Sequence, residues 1–369
     1  MGPPRRIRAL VLYGAIPGAQ TLSYQEGWPA AIAADSRFDA TLIDVRPRRG
    51  RIAAELALRS PRRDDVVVLL HSVFSNTNLV SPRLLAALAH ARAPKAYFIG
   101  NESKLLPEKM ATAEGAAVRL LVTMKSNPRV HELYAQRLGC RVATIPSGGV
   151  DTTVFFPARP LAERDLDLGF RGAYEPLYFG HRDREEITNH FRDRADAYGL
   201  RVDLSLAAAD RLDRAGWAAF LNRCRGQLGT EAGTDYFELT DELRNEVNAY
   251  CALHPDATLD DLRPLFFDSR EPVPARAITG RHAEAAATKT VQVLFRGEYT
   301  GFFEPDVHYL ALDRDFGNVA EVVERLKDDA ECAQVADAAY DVAMSELTYP
   351  RLLERFLEAL EPVLEERAA

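Results

Sequence analysis

Long apolar runs are missing from this 369-residue chain: no stretch approaches the roughly 18 consecutive apolar residues of a membrane-crossing helix, so no transmembrane segment is expected. Cysteine is scarce. Cys140, Cys224, Cys251 and Cys332 stand far apart with no C-x-x-C spacing, which argues against a zinc or disulfide framework and suits a reducing compartment, the cytoplasm. Basic excess is missing too: 46 Lys and Arg against 54 Asp and Glu leave a net charge of −8, which argues against a nucleic-acid partner but leaves room for a local anion pocket. There is no G-x-G-x-x-G, no G-K-[ST] phosphate loop, no repeat and no low-complexity tract. The short apolar run near the N-terminus has no cleavage pattern after it and reads as a first strand.

What is present is globular, with 47% hydrophobic and 27% charged residues, in a chain long enough for two domains. Short apolar runs at 8–14, 39–45, 65–71, 95–100, 119–124 and 141–146 alternate with helical patterns, which predicts βαβ units on a parallel sheet. The alternation restarts after residue 157, with strand-like runs at 166–172, 201–207, 226–230, 289–295 and 307–313. The fold class is therefore α/β, with two Rossmann-like domains. Between them stands IPSGGVDTTVFFP (145–157), whose glycines allow a bend and whose Val154, Phe155 and Phe156 are expected to anchor the second domain. Residues 236–275 fall between two strands of the second sheet and read as an insertion. The final segment, with Leu352, Leu353, Phe356, Leu357 and Leu360 on one face, is expected to pack back on the first domain. The predicted division is thus 1–147, 148–345 with its insertion, and 346–369.

Open α/β sheets bind ligands at the carboxyl ends of their strands. In the first domain those ends offer Gly14 and Gly18, then His71, then Asn101 and Glu102. His71 is read either as a contact for acceptor or sugar or as a half-buried capping histidine. In the second domain Arg171 follows a strand directly, and His181 and Arg182 precede a helix N-terminus. Such an N-terminus with arginine forks holds phosphate; a basic turn balanced by Asp183 and Glu185 is the plainer alternative. Glu284 sits among alanines, where a carboxylate can accept from both ribose hydroxyls or can pair with Arg281 or Lys289.

Taken together, these segments resemble the retaining glycosyltransferases of GT-B architecture, in particular the group 1-like family 4. Gly149, Val150, Asp151, Phe155 and Pro157 match that family's interdomain linker, and Arg171 matches a diphosphate-binding arginine. Glu284 in EAAATKT matches the second glutamate of the family's Glu-x7-Glu pattern. Arg276 stands where the first glutamate belongs, and Glu231 in GTEAGTDYF is its counterpart, with the insertion parting the two halves of the motif. The resemblance implies an interdomain cleft, a C-terminal helix crossing back, and transfer of a sugar from a UDP-, GDP- or TDP-sugar to a small soluble acceptor such as a natural product or glycan precursor. The nucleotide-sugar is then a substrate, with no cofactor and no metal. Arg171, Glu231 and His71 would be catalytic. Arg171, His181, Arg182, Gly233 and Glu284 would hold the donor, and Gly14, Gly18, Asn101 and Glu102 would line the acceptor side. A nucleotide-sugar epimerase and a non-catalytic binding protein stay open as alternatives, and the oligomeric state is not legible.

Overall fold

The computed structural model describes residues 6–15, 23–60 and 64–368. Six parallel strands form the first sheet: β1 (Ile7–Tyr13), β2 (Phe38–Asp44), β3 (Val66–Leu69), β4 (Lys95–Phe98), β5 (Val118–Thr123) and β6 (Arg141–Thr144), in the order β2-β1-β3-β4-β5-β6. Central strands such as β3, with every residue buried, are apolar throughout because helices cover both faces. Next along the chain come β7 (Leu166–Arg171), β8 (Val202–Ser205), β9 (Cys224–Gly229), β10 (Ala232–Thr234), β11 (Ala275–Ala277), β12 (Val291–Phe295) and β13 (Leu310–Leu312). Five of these make a second parallel sheet in the order β13-β12-β9-β7-β8. Two such sheets are the two Rossmann-like halves expected from the alternating pattern.

The remaining pair, β10 and β11, is an antiparallel hairpin that brackets the insertion. Sequence periodicity gives no sign of it, because each strand has only three residues and about forty residues part them. The insertion has a small core of its own, Leu243, Val247, Leu259, Leu262 and Phe267. Phe237 and Ala275, at its two ends, belong to the core of the first sheet, where the Phe237 ring meets Tyr134 edge-on at 5.4 Å. Asp241 caps the first-domain helix Leu106–Gly115, accepting from the amides of Leu105 (2.6 Å) and Leu106 (3.4 Å).

The helix Tyr349–Ala368 crosses back as expected. Leu352, Leu353, Phe356, Leu360 and Val363 are buried against Trp28, Phe98 and the strands of the first sheet. Each such side chain contributes about 1.5–3 kcal/mol by burial, so the crossing is a major contact. It also changes the reading of the glycine linker. A Cβ on Gly149 would lie 2.8 Å from the backbone nitrogen of Tyr349, and Val150 donates to the Leu347 carbonyl at 2.8 Å. Gly149 is therefore needed for close packing of the returning chain, and a free hinge is not what it provides. Phe155 is buried in the second core as expected, but Phe156 is exposed.

Candidate functional site

Arg171 ends β7, yet its guanidinium does not reach past the strand end. It turns back along the sheet, donating to the Phe170 carbonyl (2.9 Å), the Asp203 carbonyl (3.0 Å) and the Asp203 carboxylate (2.7 Å), and it lies over the Phe220 ring. This corrects the expectation that it forks into the crevice: the edge strand β8 offers a carboxylate and a carbonyl in reach, and the guanidinium takes them. The position that does reach the strand ends is Arg281. It donates to the Arg171 carbonyl, stacks over Trp217, and is pushed down to about 10 by burial, with the charges of Arg184 and Arg211 acting the same way.

His181 and Arg182 stand at the start of the helix Asp183–Tyr198. His181 is buried, and its Nε2 lies 2.9 Å from the Gly233 carbonyl. Burial disfavours its charge, but Asp183 and Glu175 outweigh that and raise its pKa. Arg182 is paired with Glu185 on the same helix, the plainer of the two sequence readings. Arg184, on the same helix, takes Glu175. Its amide donates to that buried carboxylate at 2.9 Å, and its Nε lies 3.6 Å away.

The residue in place of the family's first glutamate, Arg276, organises this corner. From β11 it donates to Asp183 at 2.5 Å and to both Asp235 oxygens at 2.5 and 2.8 Å. Arg314 reaches the same Asp183 at 2.5 Å. Burial opposes the charge on Asp183, but His181 and the two arginines hold its carboxyl far below the usual range.

Two buried carboxylates flank this basic region. Glu231, in the β9–β10 turn, accepts from the Tyr299 amide at 2.8 Å, and burial raises its pKa. Glu284, in the helix Gly280–Ala287, accepts from the Trp217 indole at 2.8 Å. Beside it, His282 receives the Thr279 amide on Nδ1 (3.1 Å), so Nε2 carries the proton. Burial pushes His282 down to about 3, which keeps it neutral. His282 Nε2 and Thr230 Oγ1 are buried polar atoms without a hydrogen-bond partner in the structure.

Gly233 was assigned to the donor side on its resemblance to a glycine-rich loop. Its structural reason is close approach. At φ +138° it pairs with Arg276 across the hairpin, and a Cβ would fall 1.9 Å from the Ala275 carbonyl oxygen and 2.6 Å from Lys125 Nζ. Lys125 comes from the first domain, two residues past β5, and donates to the Ala232 carbonyl at 3.0 Å. Burial pushes it down to about 8; Glu102 and Glu231 act to raise it, Arg184 and Arg276 to lower it.

The first sheet's ends are different in character. The Gly14 amide donates to Ser72 Oγ at 2.9 Å, and Gly18 lies outside the described residues. His71 is buried against Trp28 and Phe98, and burial pushes it down to about 3. Asn101, at φ +46°, accepts from Ser103 Oγ at 2.9 Å through its side chain, and its carbonyl takes Lys109 Nζ at 2.7 Å. Glu102 is buried, accepting from Thr123 Oγ1 (2.5 Å), Tyr134 OH (2.8 Å) and the Met124 amide (3.3 Å).

Sequence reasoning thus found Glu231, Glu284 and His181 at the strand ends but missed Lys125, Arg184, Arg276 and Arg281 as the cationic part. Lys125 was findable by the strand-end rule, since it stands two residues past the end of β5. Among the described residues, no group of three or more His, Cys, Asp or Glu is placed to hold a metal ion, and no helix is long and apolar enough to cross a membrane.

No protein family's sequence profile matches the chain, and no curated protein does either. Solved structures do match it, over nearly its whole length. A DNA-modifying β-glucosyltransferase, studied with and without uridine diphosphoglucose, is similar at a TM-score of 0.56 and 11% identity, over 96% of this chain and 99% of that one. Anabaena HepE, in complex with UDP-glucose, is similar at 0.53 and 13%, over 97% and 100%. Sucrose-phosphate synthase from Thermosynechococcus elongatus is similar at 0.53 and 11%, over 98% and 100%. At these identities the likeness is one of fold, and the fold is GT-B: two parallel Rossmann-like sheets joined across a cleft.

Proposed function

We propose that the protein is a glycosyltransferase that moves a sugar from a nucleoside-diphosphate donor to the hydroxyl of a small soluble acceptor, in the cytoplasm. The observation that carries this reading is the meeting of Arg184, Arg281 and Lys125 with buried Glu231 and Glu284 at the strand ends of a GT-B fold. The fixed cations suit a diphosphate, and the carboxylates suit the hydroxyls of ribose and sugar. The unpartnered His282 Nε2 and Thr230 Oγ1 offer further hydrogen bonds to ligand oxygens. Two of the solved structures named above, Anabaena HepE and the β-glucosyltransferase, were studied with UDP-glucose or uridine diphosphoglucose, which supports a nucleotide-sugar donor.

In the reaction, the bond from the sugar's anomeric carbon to the donor phosphate breaks and its electron pair leaves with the phosphate. The acceptor oxygen bonds to that carbon, and its proton passes to the departing phosphate oxygen. Fixed cations lower the barrier by stabilising the charge as it builds, with no metal called upon. Retention fits the first sheet's ends: His71, at about 3, is a feeble base, and Glu102 already accepts from three donors, so neither is suited to take the acceptor's proton for an inverting attack.

The test uses radiolabelled UDP-, GDP- and TDP-sugars with a panel of natural-product and glycan acceptors. A labelled glycoside with retained anomeric configuration supports the reading. An epimerised sugar with free nucleoside diphosphate, or no turnover together with no binding, overturns it.

A further inference from the structure

We infer that Lys125 reaches across from the first domain to hold the leaving diphosphate, so that the donor site is completed by both halves of the chain. The inference rests on the nucleotide-sugar reading above. Its ground is geometric. Lys125 is 4% exposed and lies against the turn that carries Glu231, with the Ala232 carbonyl, 3.0 Å from Nζ, as its hydrogen-bond partner. An ammonium has three donors, so two are left over in a place closed to bulk water. Gly233 keeps its side chain out of the way: a Cβ there would stand 2.6 Å from Nζ. The facing charged groups are Glu102 from the first domain, Glu231 from the β9–β10 turn, Arg184 from the helix after β7, and Arg276 from β11, and none is in an ion pair with Lys125.

Lys109 provides the contrast. It is equally buried, but its ammonium is bound by the Asn101 and Lys104 carbonyls, both at 2.7 Å, within one loop, which is how a structural lysine is satisfied. Lys125 has a single carbonyl, and neither Glu102 nor Glu231, the carboxylates that face it, is in an ion pair with it. A diphosphate would give its two remaining donors direct anionic partners.

The experiment is calorimetric titration of UDP, GDP, TDP and the matching monophosphates into the wild-type protein and the variants Lys125→Met and Lys125→Arg. For whichever diphosphate binds the wild type, Lys125→Met is expected to weaken it by roughly 10-fold or more, as for loss of a charge-assisted bond, while the monophosphate changes by no more than about 2-fold. Lys125→Arg should recover part of the loss. The wild-type diphosphate affinity should fall above pH about 8, as the ammonium is lost, and the Lys125→Met affinity should not. Equal diphosphate affinity in Lys125→Met and wild type, or equal losses for mono- and diphosphate, overturns the inference and leaves the nucleotide-sugar reading standing. Failure of the wild type to bind any of the three diphosphates overturns both.

Discussion

The two sheets share a topology class and differ in what their strand ends present. The first offers a neutral histidine packed on aromatic rings, a glycine amide bound to a serine, and a carboxylate that already has three donors. The second gathers Arg184, Arg276, Arg281 and Arg314 around Asp183, Asp235, Glu175, Glu231 and Glu284. One fold, used twice in a chain, has been given a saturated mouth on one side and a densely charged one on the other. Under the proposed function, that asymmetry suits a neutral acceptor on one side and an anionic donor on the other. Lys125 is the exception that joins them: a first-domain residue that faces Glu102 of its own domain and Glu231, Arg184 and Arg276 of the second.

The sharpest way to break the comparison is at Arg276. Replacing it by Met leaves the buried Asp183 with Arg314 and His181 only and leaves Asp235 without its bidentate partner. Removing one member of a buried pair costs about 3–5 kcal/mol, so urea unfolding of Arg276→Met should show a loss of that order. A loss below about 1 kcal/mol would mean that the second sheet's charges are not held as a unit.

Arg281 tests the cationic mouth without dismantling it. Arg281→Ala should cut kcat/KM for the donor by roughly 100-fold, about 2.7 kcal/mol, with folding largely intact. An unchanged kcat/KM in a folded protein would make Arg281 a brace for the Arg171 carbonyl and nothing more.

Acid should act most on the neutral histidines. His71 and His282, both pushed down to about 3 by burial, stay unprotonated in the folded protein while the unfolded chain takes up protons below its ordinary value of 6.5. The unfolded state then binds more protons, so stability falls as pH drops through and below about 6.5, by up to about 1.4 kcal/mol per pH unit for each histidine. His181 works the other way: its raised pKa contributes stability that is present at low pH and lost on going above its folded value, which offsets part of the fall. Thermal unfolding between pH 7 and pH 5 should show the decline, and His71→Phe should flatten it. An equal slope in that variant would mean that His71 is protonated in the fold.

The smallest effect is expected at Arg171. Its pair with the partly exposed Asp203 and its place over Phe220 are structural, so Arg171→Ala should cost about 1 kcal/mol and leave donor KM and kcat within about 3-fold. A 100-fold loss of kcat would restore Arg171 to the diphosphate and show that its contact with Asp203 gives way when the donor binds.

The sequence by itself determined the two parallel sheets, because buried strands and covering helices write their periods locally: β3 is three valines and a leucine, all buried, and the last helix carries its apolar face in Leu352, Leu353, Phe356 and Leu360. It also determined where to look, since ligands sit at strand ends, and so picked out Glu231, Glu284 and His181 as candidates. Only the tertiary structure decided which cations serve that place. Arg171 folds back because Asp203, 32 residues on, lies on the neighbouring strand, and Lys125 faces Gly233 because the β10–β11 hairpin docks there. The hairpin joins three-residue strands across the insertion, and Phe237 and Ala275 settle into a core made by residues more than a hundred positions away. A local pattern fixes which residues are buried, but the direction of a long flexible side chain is set by whichever partner of opposite charge the fold brings within about 3 Å, and that partner can stand anywhere in the chain.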